Sequence, residues 1–355
     1  MQLPPPDANS SRYYSIIFTP LLFSRKTREG RTPSTGTGYI DIPQYVPYHY
    51  ISAIGGISIR MYKRMLVPLD GSELSEVVFH YAKELARRLG LETILLHVRN
   101  SEECDVSPLH QAYIERKAEI MKQQVDDIRP KTATGQGGKA VQVRGELVAG
   151  YPAEEILRYA DENNIDLILM ATHGRSGVRR WVMGSVAEKV LQVSKVPIWL
   201  VRAGISQEKT HHKWPKGTML VLLDGSKLAE AILPHVKALA KQQCAESMDV
   251  VLFGVSEPLV ESGYYIPDVP MKTDELKKYL AKEEKQLKDA GLSVRSEVRK
   301  GRPAEQIIEY ASEKSFNLIV MSTHGRSGLG RWVFGSVASK VLHEASSPIL
   351  LIRPQ

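Results

Sequence analysis

The chain has 355 residues, 43% hydrophobic and 25% charged, with a formal net charge of +7. That composition belongs to a globular protein long enough for two domains, each with its own core. Positions 1–60 hold six basic and three acidic residues, so the other 295 carry only +4, which argues against a nucleic-acid or anionic-membrane partner.

Residues 1–60 also contain seven of the 20 prolines and six of the 15 tyrosines, and no helical or strand period persists through them. They read as a disordered or loosely held extension. The apolar stretch 13–23 is too short for a membrane span, contains Pro20 and lacks a basic lead-in, so it is not read as a signal peptide. Met61 is the expected natural start, with the leader translated from upstream sequence; peptides from residues 1–60 in protein from the native cell would refute that.

Residues 65–69 form a short buried strand that ends at Asp70-Gly71-Ser72, a turn and helix-cap signal. A first helix runs to Leu89 and stops at Gly90. The nearly all-apolar strand 93–98 is expected to be buried on both faces. A loop through Pro108 leads to a charged helix at 111–128, then a third strand at 140–144. Pro152 stands in the first turn of a third helix. A fourth strand, 165–170, runs into a glycine-rich loop, and a fourth helix starts at Ser185 with Glu188 completing a capping box. Residues 197–201 are the fifth strand. Positions 204–217 are polar and unpatterned and read as a linker, in which the His211-His212 pair is taken as solvated.

The pattern then repeats. Strands are expected at 219–223, 249–255, 292–299, 317–321 and 348–352. Pro152 and Pro303, His173 and His324, Gly184 and Gly335, and Pro197 and Pro348 are each 151 apart, while Asp70 and Asp224 are 154 apart. The chain is therefore two tandem copies of one domain, at 61–203 and 218–355. Alternating strands and helices make each copy α/β, a doubly wound five-stranded parallel sheet with helices on both faces. Such a sheet binds ligand at the carboxyl ends of its strands, where the winding reverses. Asp70 and Gly174, and likewise Asp224 and Gly325, would meet there if the first and fourth strands flank the switch point.

The stretches Met170-Ala-Thr-His-Gly-Arg-Ser-Gly-Val-Arg-Arg-Trp-Val-Met-Gly-Ser185 and Met321-Ser-Thr-His-Gly-Arg-Ser-Gly-Leu-Gly-Arg-Trp-Val-Phe-Gly-Ser336 carry the chemistry. An apolar strand, a glycine loop and a helix start aim free backbone N–H groups and a helix dipole at an anion, so each reads as a phosphate-binding loop. Cys104 and Cys244 stand in no metal or redox spacing and read as reduced thiols of a cytoplasmic protein.

At these loops the chain resembles the universal stress protein family, and its tandem-domain, ATP-binding members in particular, over about residues 62–202 and 218–353. The resemblance implies a Rossmann-like, adenine nucleotide alpha-hydrolase-like fold. It also implies a stress-response role, with ATP (accompanied by Mg2+) or AMP or ADP as the bound nucleotide. It places Pro68, Leu69 and the backbone at Val98 against adenine and ribose in copy one, with Leu222, Leu223 and Val255 in copy two. Asp70 or Asp224 would accept from ribose hydroxyls. Met170, Ala171, Gly174, Arg175, Gly184, Ser185 and Val186 would surround the phosphates, as would Met321, Ser322, Gly325, Arg326, Gly335, Ser336 and Val337. Ala171 and Ser322 replace the first glycine of the family pattern, and a positive φ there would be penalised. The family also implies pairing of the two domains through their last strands and allows dimerisation of the tandem chain.

The same residues have plainer readings. Asp70 and Asp224 also suit helix capping, Ser185 and Ser336 suit N-caps, and His173 and His324 suit loop ordering by hydrogen bonds. Trp181 and Trp332 suit core or interface, Tyr264-Tyr265 loop packing, and the run 274–288 a solvated helix face. No paired carboxylates, general base or nucleophile–base spacing appears, so fast catalysis is not expected, although slow ATP hydrolysis is compatible. The alternatives are a nucleotide-free scaffold, a sensor of AMP or a cyclic adenine dinucleotide, and an adenylating or ATP-pyrophosphatase enzyme on a related fold. The last would need a Ser-Gly-Gly-rich loop that Asp70-Gly-Ser72 does not supply.

Overall fold

The computed structural model describes residues 61–100, 107–127, 141–173, 183–203, 217–242, 248–257, 271–314, 316–324 and 334–354. The extension 1–60, Cys104, Cys244, His211-His212 and Tyr264-Tyr265 lie outside the described residues. The first half comprises β1 (Arg64–Pro68), α1 (Glu73–Glu76), α2 (Phe79–Leu89), β2 (Glu92–Arg99), α3 (Ser107–Asp127), β3 (Val143–Ala149), α4 (Pro152–Glu162), β4 (Leu167–Ala171), α5 (Ser185–Val193) and β5 (Ile198–Val201). The second comprises β6 (Thr218–Leu222), α6 (Lys227–Glu230), α7 (Leu233–Gln242), β7 (Asp249–Ser256), α8 (Thr273–Asp289), β8 (Val294–Lys300), α9 (Pro303–Lys314), β9 (Leu318–Ser322), α10 (Ser336–Glu344) and β10 (Ile349–Ile352).

The strands form one ten-stranded sheet in the order β3-β2-β1-β4-β5-β10-β9-β6-β7-β8. Within each half every neighbour is parallel, and the halves join where β5 and β10 pair antiparallel. The expected pairing of last strands is therefore present, and it fuses the two five-stranded sheets into one. Trp199 stands opposite Leu350, its own counterpart 151 residues on, so a local two-fold axis passes between them.

Successive strand residues alternate between two cores, as the strand period requires. Met65, Val67, Leu167, Leu169 and Trp199 pack with α2, α3, α7 and α8 on one face. Leu66, Ile94, Ile168 and Ile198 pack with α4, α5, α9 and α10 on the other. Equivalent helices of the two halves share a face, so the axis stands normal to the sheet. The carboxyl ends of β1–β5 and of β6–β10 consequently point in opposite directions.

Four local expectations are corrected. The third strand is β3, further along than 140–144, because Gly145 belongs inside it: a Cβ there would sit 2.7 Å from the Ile114 carbonyl oxygen. The first helix is broken into α1 and α2, and the counterpart break separates α6 from α7. Val78 and Ile232, both fully buried, sit at these breaks. The charged helix α3 starts at Ser107, with Pro108 in its first turn, where a missing N–H costs nothing. The face of α8 is not wholly solvated, since Leu276, Leu280, Leu287 and Glu283 are buried.

Among the described residues, hydrogen bonds also tie the halves together away from the central strands. The Tyr62 hydroxyl is hydrogen-bonded to His235 Nδ1 of α7 at 2.7 Å. Arg202 Nη1 donates to the Ala345 carbonyl, just past α10, at 3.0 Å.

Candidate functional site

In each half β1 and β4, or β6 and β9, are the neighbours between which the winding reverses. Their ladders stop before the strands do. β1 pairs with β4 only as far as Leu66↔Ile168, although the strands run on to Pro68 and Ala171. Pro68 has no N–H to offer β4, so the ladder cannot extend. Leu222 stands at this position in half two, and there the ladder reaches one pair further, to Val221↔Val320. Beyond those points no pair continues either ladder, at the carboxyl end of each half where a sheet wound in this way opens its ligand crevice.

One wall of the crevice is the loop after β1. Leu69 is buried and anchored to β2 by its N–H to the Leu96 carbonyl at 2.8 Å. Asp70 Oδ1 accepts from Ser72 N at 3.0 Å and Ser72 Oγ at 2.6 Å, across Gly71 at φ +84°. The N-cap of α1 is Ser72, whose Oγ accepts from Ser75 N at 3.2 Å. Half two repeats this arrangement: Asp224 Oδ1 accepts from Ser226 N at 2.9 Å, and Ser226 Oγ caps α6. The aspartates thus build the turn that presents the cap serine and are not caps themselves. Leu223 is buried like Leu69; Val98 is half-buried and Val255 buried at the ends of β2 and β7.

The other wall is the end of β4 and the start of α5. Met170 and Ala171 are buried, as are Met321 and Ser322. Among the described residues the only non-glycine at positive φ is Asn164, so Ala171 and Ser322 replace the family glycine without backbone strain. Ser322 Oγ donates to the His324 carbonyl at 2.5 Å, a bond Ala171 cannot make. Ser185 and Ser336 are not N-caps. Gly184 and Gly335 occupy that position in extended backbone, no side chain caps either helix, and the expected Ser185/Glu188 capping box does not form. A Cβ on Gly184 would meet the Thr172 carbonyl oxygen at 3.2 Å; on Gly335 it would lie 3.7 Å from that of Thr323. Ser185 and Ser336 are exposed at the first helical position, followed by half-buried Val186 and Val337. An uncapped first turn leaves backbone N–H groups and the positive end of the helix dipole for a ligand.

The loop anchors Thr172 and Thr323 were not singled out from the sequence. Gly184 N donates to the Thr172 carbonyl at 2.9 Å and Gly335 N to that of Thr323 at 3.1 Å, which fixes where each loop returns. Thr172 Oγ1 is bonded to His173 Nδ1 at 2.9 Å and Thr323 Oγ1 to His324 Nδ1 at 2.8 Å, in keeping with an ordering role for both histidines. Ala203 N also donates to Thr172 Oγ1 at 3.1 Å. Burial, then nearby Arg202, lowers the His173 pKa and favours the neutral ring. The identical Thr-His pair in both copies was the available signal. Gly174, Arg175 and Trp181, and Gly325, Arg326 and Trp332, lie outside the described residues.

Residues 61–202 and 217–353 each match the sequence profile of the universal stress protein family. Universal stress protein MJ0531 of Methanocaldococcus jannaschii is 28% identical over 159 residues, 44% of this chain and 91% of that protein. Universal stress protein YxiE of Bacillus subtilis is 31% identical over 148 residues, 40% of this chain and all of that protein. Each relative therefore matches less than half of this chain over nearly its own full length. A crystal structure of a universal stress protein from Archaeoglobus fulgidus covers 82% of this chain and 98% of its own, with a TM-score of 0.56 at 22% identity. That likeness concerns the fold.

Proposed function

The chain belongs to the universal stress protein family, and from that premise we propose that each half binds an adenine nucleotide, ATP foremost, and that the protein acts as a nucleotide-linked regulator or protectant. The observation that carries this reading is the occurrence, in both halves, of an uncapped helix start and an aspartate-built turn at the carboxyl ends of the two strands that flank the switch point. The N–H groups of the first turn suit phosphate oxygens, and a carboxylate suits ribose hydroxyl donors. Negative φ at Ala171 and Ser322 removes the strain that would have favoured a nucleotide-free scaffold.

In this reading Asp70 or Asp224 engages ribose, the backbone near Val98 or Val255 lines the base, and Gly184-Ser185 or Gly335-Ser336 receives phosphate. Mg2+ enters with ATP on its phosphates. A cytoplasmic location belongs to the same proposal; no helix among the described residues is long and apolar enough to cross a membrane.

The test is isothermal titration of ATP, ADP and AMP into the full chain beside Gly174→Asp and Gly325→Asp. Stoichiometry that drops by one site in each variant supports the reading. Absence of heat and of thermal shift with all three nucleotides removes it. Competition with a cyclic adenine dinucleotide separates a sensor from an ATP binder.

A further inference from the structure

The two halves differ at one polar cluster, half-buried in the first half, behind the turn that follows the first strand. In half one Glu76 of α1 is clasped from α3: the Tyr113 hydroxyl donates to Oε1 at 2.9 Å and Lys117 Nζ reaches Oε2 at 2.5 Å. The counterpart of Glu76 is Glu230 of α6, 154 residues on, as for Asp70 and Asp224. The counterparts of Tyr113 and Lys117 are Tyr279 and Glu283 of α8, each 166 residues on. An independent contact confirms that helix register. His110 packs on His97 with ring centroids 4.7 Å apart, and Leu276, again 166 on, packs on Gly254 of β7, where a Cβ would lie 3.0 Å from Leu276 Cδ2. Half two therefore keeps the glutamate and the tyrosine but replaces the lysine with a second glutamate.

We propose that Glu283, buried on α8 at the register position that faces Glu230 of α6, makes these helices a proton-operated latch present in half two alone, closed when the Glu283 carboxyl is protonated and slackened when it ionises. Glu283 is 5% exposed, so its charge is poorly hydrated. The groups facing it are Glu230 and Lys227 on α6, Lys237 on α7, and Lys282, Gln286 and Tyr279 on its own helix. Lys282 Nζ is 3.8 Å away and its side chain 71% exposed, while Lys227, 91% exposed, is bonded to Glu230 at 2.9 Å. Neither replaces the half-buried Lys117 of half one. Burial, then Glu230, pushes the Glu283 carboxyl up, against the pull of the three lysines. The Tyr279 proton is held more tightly too, by burial and then by Glu230 and Glu283. A carboxyl raised in the folded state contributes stability below its unfolded pKa, and that contribution is lost as pH rises through the folded value.

α6 follows directly on Asp224-Gly225-Ser226, so slackening it loosens the turn at the second crevice. Its effect on ligand rests on the nucleotide reading above; the latch does not.

The test is amide hydrogen exchange on the full chain without nucleotide from pH 5 to pH 8, corrected for intrinsic exchange, comparing residues 224–232 with 70–78. Protection of 224–232 is expected to fall as pH rises, by about tenfold in the opening equilibrium per unit by which Glu283 is raised. Protection of 70–78 is expected to stay flat. Glu283→Gln keeps the volume and Glu283→Lys restores the half-one pairing; both should abolish the slope. Flat exchange at 224–232 in the parent protein, or a parental slope in Glu283→Gln, overturns the latch. Titrating ATP into the same samples separates the two claims. A slope without ATP binding leaves the latch and removes the nucleotide reading, whereas ATP binding with flat exchange does the reverse.

Discussion

His235 offers a quantitative check on the packing of the two halves. Its ring is buried on α7 and hydrogen-bonded to the Tyr62 hydroxyl, and burial lowers its pKa from 6.5 to about 4. The unfolded chain therefore takes up a proton near pH 6.5 that the folded protein refuses until about pH 4. Stability is full above pH 6.5 and is lost as pH falls through that window, at roughly 1.4 kcal/mol per pH unit and about 3 kcal/mol in all. His235→Gln keeps a polar group for Tyr62 and cannot titrate. Urea denaturation of both forms at half-unit steps from pH 7 to pH 4 isolates the effect, because the depressed carboxylates Glu84 and Glu92 contribute equally to each. The parent is expected to lose about 3 kcal/mol more than the variant. Parallel stability curves for the two proteins would refute the assignment.

Three further outcomes follow from the geometry. Gly145→Ala should cost about 1–3 kcal/mol in thermal or urea unfolding, because the new methyl meets the α3 backbone and not a movable side chain. Gly184→Ala should displace the return of its loop and weaken ligand binding in half one. Gly335→Ala, with 3.7 Å of room, should leave half two nearly unchanged in the same titration. Ser72→Ala and Ser226→Ala should each cost about 1 kcal/mol by removing the cap bond, measured by chemical denaturation.

Much of the fold was legible because it repeats. The 151-residue spacing of Pro152, His173, Gly184 and Pro197 with their counterparts announced two copies, and apolar runs located the strands that form the sheet. The switch point followed from the order of elements. What escaped was set by contacts distant in sequence. Gly145 reads as a strand breaker until the carbonyl of Ile114 is seen above it. The capping serines at 185 and 336 proved one residue too late, since nothing in Gly-Ser says which of the two turns into the helix. The Tyr62–His235 bond joins residues 173 apart and leaves no local pattern. The run 274–288 looked uniformly charged, and only the packing of α8 distinguishes Glu283 from its neighbours.

The antiparallel joint between β5 and β10 has a consequence for how the halves can diverge. Carried on one polypeptide, the joint forms between neighbours at a fixed effective concentration, so dilution does not separate them. A dimer of identical subunits would place each residue on the axis against itself, and every substitution would appear twice. Here Trp199 meets Leu350, a large ring against a smaller side chain, both fully buried. Identical subunits would have had to fit tryptophan on tryptophan or leucine on leucine. Covalent tandem arrangement frees the two halves to mutate independently while the joint between them persists.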